Sequence, residues 1–240
     1  MPAARKSLAL SLANVYETFA ISLPTVIDAA LGRVRKEVCD ERLARWAHKI
    51  VEHAKMVVTV SGRERMQPGT TYLVMSNHQS HYDVPVLFYV LGANLRMITK
   101  VELFKIPIFG GALQEAGFIA IDRSSRKRAM ESLKVAKDKL ASGVHVWIAP
   151  EGTRGKTDAL LPFKKGGFNL ALEASLPILP VTIQGTRDAL RAKGLRTTPG
   201  AKVRVVLSPP IDPTRYVGPD LKTRREALMA DVRRAIESGL

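Results

Sequence analysis

The spacing of hydrophobic and polar positions changes along the chain. From about residue 56 onward, short apolar runs recur at Met56–Val60, Tyr72–Ser76, Leu95–Thr99, Phe118–Ile121, Val144–Ala149, Ile178–Ile183 and Val203–Leu207. Mostly continuous runs of this length read as strands covered on both faces. Between them lie helical stretches at Val84–Leu91, Ser125–Ser142, Lys164–Ala174 and Leu221–Ser238. Met130, Leu133, Ala136 and Leu140 recur at helical spacing, as do Leu221, Leu228, Val232 and Ile236. Strands alternating with helices predict an α/β fold: a mostly parallel or mixed central sheet flanked by helices. Pro177 and Pro180 interrupt the run from Leu176 to Val181. Proline gives no ladder donor, so this strand is expected at an edge or a bulge.

The start of the chain has a different texture. Ser7 to Leu31 is apolar and rich in small residues, but Glu17, Pro24 and Asp28 break it. Its uninterrupted stretches are shorter than the ~20 residues of a membrane span. Two readings remain, an interfacial or membrane-embedded helix kinked near Pro24 or a helix packed on the protein's own core. Arg33, Arg35 and Lys36 follow at once and favour the membrane. A second helix is expected from about Val38 to Ala54, with Trp46, Ile50 and Val51 on one face. Its Arg42, Arg45 and Lys49 suit either lipid headgroups or a solvated face. The expected organisation is residues 1–54 as N-terminal helices for membrane association and 55–240 as the α/β domain.

Composition narrows the class. The chain has 240 residues, 46% of them hydrophobic, with 37 Lys+Arg against 22 Asp+Glu and a net charge of +15. This is a globular composition with an anionic partner in prospect: nucleic acid, anionic lipid or a phosphorylated substrate. The basic excess is spread from residue 32 to the end, with no solid polybasic tail. No RNA- or DNA-binding motif appears and aromatics are 6%, so a nucleic-acid partner is not expected. The single cysteine, Cys39, excludes an internal disulfide framework and a Cys-clustered metal centre.

The candidate chemistry collects where strands end. Asn77-His78-Gln79-Ser80-His81-Tyr82-Asp83 follows the strand Tyr72–Ser76 and enters a helix. On a regular helix, residues five apart point about 140° away from each other. A turn can fold Asp83 back onto His78, fixing its tautomer and leaving the other ring nitrogen free to take a proton. Two alternatives stand beside this dyad: Asp83 as a helix cap, or His78, His81 and Asp83 as metal ligands. Two further strand ends carry arginine, Gly117 to Arg123 and Pro150-Glu151-Gly152-Thr153-Arg154. Paired arginines suit a phosphate, and Gly152 lets backbone approach a ligand. Ordinary ion pairs and a polar turn explain each segment equally well alone. The proline-containing strand lines either an apolar groove or the core.

Together these residues resemble the glycerolipid acyltransferase family of the bacterial 1-acylglycerol-3-phosphate acyltransferase type. Four blocks are in order: His78-x4-Asp83 with Asn77 and Ser80; Gly117 to Arg123, preceded by Lys100-Val101-Glu102-Leu103-Phe104 and Pro107; Glu151 to Arg154; and Leu179-Pro180-Val181. The resemblance covers roughly residues 57–207, and Ala120 is a small departure in the second block. It implies acyl transfer in a ternary complex, from acyl-CoA or acyl carrier protein to a lysophospholipid, without a cofactor or metal. His78 would be the general base and Asp83 its orienting partner. Lys100, Arg123 and Arg154 would hold the acceptor phosphate, in a pocket shaped by Glu151, Gly152 and Thr153. Leu179, Pro180 and Val181 would form an acyl groove. The resemblance also implies a peripheral or monotopic place on the cytoplasmic face of the inner membrane, against anionic lipid.

Overall fold

The computed structural model describes residues 6–122, 124–192 and 194–240. Seven strands form one sheet: β1 (Val57–Ser61), β2 (Leu73–Ser76), β3 (Leu95–Lys100), β4 (Ile119–Ile121), β5 (His145–Ile148), β6 (Ile178–Gln184) and β7 (Lys202–Leu207). Their order is β1-β7-β6-β2-β5-β3-β4. Strands β2 to β6 run parallel, while β6 and β7 pair antiparallel and β1 joins β7 in parallel. The sheet is therefore mixed, as expected.

The continuous apolar runs follow from two covered faces. Along β2 and the residue before it, Tyr72 and Val74 enter one core cluster, and Leu73 and Met75 enter the other. The first cluster is closed by α2 (Lys36–His53) and α3 (Asp83–Leu91). The second is closed by α5 (Arg126–Ala141), α6 (Gly166–Ala174) and α8 (Leu221–Glu237). With period two and two apolar faces, β2 stays apolar up to Ser76 at its carboxyl end. Leu43, Ala47, Ile50 and Val51 of α2 share the first cluster with the sheet, so the core is continuous across residue 54.

The edge half of one expectation fails here. The proline-containing strand β6 lies inside the sheet, between β7 and β2. The Pro180 carbonyl accepts from Ser208 N at 2.9 Å, so its ring nitrogen faces the same side. The regular ladder with β7 starts at Val181↔Leu207, and the bridge Ile178↔Ile211 beyond it is shifted by one residue, so Pro180 sits at a break in the pairing where its missing donor is tolerated.

Helix α1 (Leu8–Ala30) lies along the body with its amphipathicity reversed. Leu8, Leu12, Val15, Tyr16, Phe19, Leu23 and Ile27 share an exposed face, and Glu17, Ser22 and Thr25 are buried. The buried side meets α2. Lys49 Nζ reaches Glu17 at 3.0 Å, Arg42 reaches Asp28 at 2.5 Å, and Trp46 Nε1 donates to Thr18 Oγ1 at 3.1 Å. Two of the three α2 bases suited to headgroups thus neutralise the two acids that interrupt the first segment. At the other end of α1, Ser11 Oγ and Asn14 Nδ2 join a polar cluster with Thr197 and Tyr82.

After β6, Gly185 takes φ +87°, and a Cβ there would stand 2.0 Å from the Lys202 carbonyl oxygen. Gly185→Ala should therefore cost about 2–4 kcal/mol of stability. Equilibrium urea unfolding measures it, and a change within about 0.5 kcal/mol would show that the turn relaxes freely.

Candidate active site

Parallel strands place their carboxyl ends on one edge, and the segments leaving β2, β3, β5 and β6 meet there. The turn after β2 is tight: Asp83 N donates to Ser80 O and Val84 N to His81 O, both at 3.3 Å. It folds Asp83 back as the dyad reading requires. His78 Nδ1 lies 2.7 Å from Asp83 Oδ2. The same oxygen accepts from Gln79 N at 2.7 Å and Ser80 N at 2.9 Å, while Oδ1 accepts from Thr186 Oγ1 at 2.5 Å. A carboxylate already bonded to N–H donors accepts from His78, so Nδ1 carries the proton and Nε2 has a free lone pair. Asp83 is the first residue of α3, and its carboxylate bonds backward to the turn rather than capping the helix.

The His78 backbone is clamped from the third block. His78 N donates to Glu151 Oε1 at 2.9 Å, and His78 O accepts from Gly155 N at 2.7 Å. Trp147 meets the imidazole edge-on at 5.5 Å between centroids, its indole N–H held by Ser76 Oγ at 2.9 Å. Asn77 exchanges two bonds of 2.8 Å with the backbone of Ile183, tying the end of β2 to β6. Ser80 Oγ donates to Leu190 O at 2.8 Å and accepts from Tyr82 N at 3.2 Å. These two polar side chains pin the turn at both ends.

His78 opens on a cavity of about 530 Å³. Its walls are largely apolar, among them Ile21 of α1, Leu43 and Trp46 of α2, Leu113 of α4 (Phe109–Glu115), and Phe118. Its polar lining includes His78, His81, Lys100, Gly152, Thr153 and Arg154. Among the described residues, neither Lys100 nor Arg154 makes an ion pair with the protein. His81 keeps an exposed edge, but the surrounding walls, then the Arg154 cation and His78, push its pKa down to about 4. It therefore adds no positive charge at neutral pH. Burial pushes the Glu151 carboxyl up, against the two backbone N–H groups that favour its anion. Among the described residues, no three His, Cys, Asp or Glu side chains gather as a metal-ligand set.

An acyltransferase family model matches residues 57–184, more than half of the chain. The chain belongs to the acyltransferase family. Relatives include the 1-acyl-sn-glycerol-3-phosphate acyltransferase alpha of Homo sapiens, 39% identical over 165 residues, covering 68% of this chain and 57% of that protein. The 1-acyl-sn-glycerol-3-phosphate acyltransferase of Cocos nucifera is 37% identical over 143 residues, covering 59% of this chain and 46% of its own. The chain thus spans about half the length of these curated relatives. Among solved structures, the 1-acyl-sn-glycerophosphate acyltransferase PlsC from Thermotoga maritima superposes with a TM-score of 0.77 at 26% identity. That match covers 97% of this chain and 95% of the other.

The acyltransferase blocks differ in how they reach the site. His78, Asp83, Lys100, Gly152, Thr153 and Arg154 converge, with Asn77 and Ser80 behind them. Arg123 lies outside the described residues. Glu151, expected to shape the phosphate pocket, is not on the cavity wall. Its oxygens hold His78 N and Leu161 N, at 2.9 and 2.8 Å. Leu179, Pro180 and Val181, expected in an acyl groove, are buried within the sheet and do not line the cavity. Residues from α1, α2 and α4 line it instead. Thr186 is the site residue that the four blocks leave out. Its one sequence signal is a second Gly-Thr-Arg triplet, Gly185 to Arg187, echoing Gly152 to Arg154.

Two predictions come from this geometry. Glu151→Gln sets an amide N–H against a backbone N–H, so it should lose about 1–3 kcal/mol of stability and weaken the hold on His78. Urea unfolding and activity should fall together; an unchanged unfolding midpoint would contradict the brace. His81 has its folded pKa below the ordinary 6.5, so the unfolded chain binds the proton first as pH falls. Its contribution to stability should therefore be present above about pH 6.5 and be lost towards pH 4. His81→Gln should reduce the drop in unfolding midpoint between pH 7 and pH 5.

Proposed function

We propose that this chain transfers a fatty acyl group from an acyl thioester, carried by CoA or a carrier protein, to the free hydroxyl of 1-acylglycerol-3-phosphate, giving phosphatidic acid. The observation that carries the reading is the His78–Asp83 pair on a largely apolar cavity that Lys100 and Arg154 also line, neither of them in an ion pair among the described residues. Such a site suits a ligand with a hydrocarbon chain at one end and a phosphate at the other. The names of the relatives agree with it.

In this reading His78 Nε2 takes the proton of the acceptor hydroxyl as the oxygen attacks the thioester carbonyl. The C–S bond breaks, the acyl group passes to oxygen, and the proton goes to the leaving thiolate. Asp83 holds the tautomer and stabilises the imidazolium that forms between these steps. Arg154 and Lys100 hold the phosphate, Arg154 in bidentate fashion. Lysophospholipids with other headgroups remain second-line acceptors, because two cations recognise a phosphate without naming what it bears.

The same reading places the protein on a membrane. Helix α1 is the described helix that is long and apolar enough to cross one. Its contacts to Thr197 near one end and to Arg42 near the other favour lying in the interface. Its exposed stripe would then face acyl chains, and basic residues such as Arg33 and Arg35 the headgroups.

An acceptor panel with acyl-CoA and labelled lysophospholipids tests the activity. His78→Ala should reduce turnover by about 10²–10⁴-fold with the fold intact, as for loss of a general base. Arg154→Ala should raise KM for lysophosphatidate about tenfold or more. Activity retained in folded His78→Ala would overturn the mechanism. For the membrane, Leu12→Glu with Phe19→Glu and Leu23→Glu should reduce flotation with anionic liposomes. Flotation equal to wild type would remove α1 from the interface.

A further inference from the structure

The dyad has a third partner with no role in the reading above. Three donors converge on Asp83 Oδ2: His78 Nδ1, Gln79 N and Ser80 N. They fix a point, and a carboxylate anchored at one oxygen can still turn about that point. Oδ1 has one hydrogen-bond donor among the described residues, Thr186 Oγ1 at 2.5 Å. Asp83 and Thr186 are both fully buried, so water cannot take over that bond.

The fold builds this contact from afar. Thr186 lies 103 residues beyond Asp83 and opens α7 (Thr186–Ala189), directly after β6. The left-handed turn at Gly185, where no side chain fits beside Lys202 O, aims it back across the strand ends. Its hydroxyl spends its single proton on Oδ1. The two Gly-Thr-Arg triplets, each with a left-handed glycine, use different residues. The first sends Arg154 to the cavity, whereas the second sends Thr186 to the dyad and pairs Arg187 with Asp158 at 2.7 Å.

We propose that Thr186 is a positioning residue for acyl transfer, fixing the plane of the Asp83 carboxylate and through it the orientation of the His78 imidazole. The inference rests on the His78–Asp83 reading. Losing the hydroxyl has two consequences. The carboxylate turns, the imidazole samples unproductive orientations, and kcat falls. The dyad also loses a donor that favoured its anion, so it binds a proton more readily. The other ionisable groups that interact with it are Glu151 and His81, with Arg154 next to His81, and the substitution leaves them in place.

The test compares Thr186→Val, close in shape but without the hydroxyl, with Thr186→Ser, which keeps it. Thr186→Val should lower kcat about 10–100-fold, leave KM for lysophosphatidate within about twofold, and move the acid limb of the kcat/KM profile up by about half a pH unit. Thr186→Ser should stay within about threefold of wild type. A folded Thr186→Val with wild-type kcat and an unmoved limb overturns the inference, as does an equal loss in both variants. If Thr186→Val does not fold, Thr186→Ala set against Thr186→Ser decides on the same criteria. His78→Ala run alongside separates the two claims: if it stays active the dyad reading fails, and if it is inactive the Thr186 result stands on its own.

Discussion

One buried carboxylate organises the functional end of this molecule. Asp83 is fully buried and accepts from the His78 ring, two backbone N–H groups of its own turn and the Thr186 hydroxyl. A buried anion is tolerated only when its lone pairs are filled, so the turn after β2 and the turn after β6 must both be in place before it is satisfied. Asn77 and Ser80 then fasten the same turn to Ile183 and Leu190. The parallel register of β2 with β6 brings those partners within reach, and sheet topology thereby becomes site geometry.

The second organising constraint is charge placement around α1. An apolar helix carrying two acids would be a poor membrane surface if those acids faced outward. Here Glu17 and Asp28 turn inward and meet Lys49 and Arg42. The outward face is left apolar, while the inward face supplies one wall of the cavity. The net charge of +15 thus has at least three uses: neutralising α1, furnishing the cations that line the site, and leaving an excess over the rest of the surface.

Much of this was legible in the chain itself. Continuous apolar runs marked the strands to within a residue or two, because both faces of the sheet are covered from β2 to β6. The His-x4-Asp spacing identified a turn, since a straight helix would point the two residues apart. What escaped depended on partners distant in sequence. Pro180 reads as an edge residue until the side its nitrogen faces is known. Leu179 to Val181 read as a groove because apolar residues in a core and in a cavity look alike in one dimension. Glu151 reads as a ligand contact, whereas its oxygens are filled by backbone groups, which carry no sequence signal. Arg42 and Lys49 were readable as bases, but not as the counter-ions of acids 14 and 32 residues earlier.

That last pairing bears on how such proteins change and how they can be recombined. Each acid on α1 is matched to one base on α2, and Trp46 of α2 seeks Thr18 of α1. Grafting the first helix of a relative onto this body would leave Arg42 and Lys49 facing strangers, and a foreign second helix would strand Glu17 in a nearly dry position. The two helices form a unit of inheritance, to be exchanged together or not at all. Because both also line the cavity, exchanging the pair would carry the shape of that cavity with it.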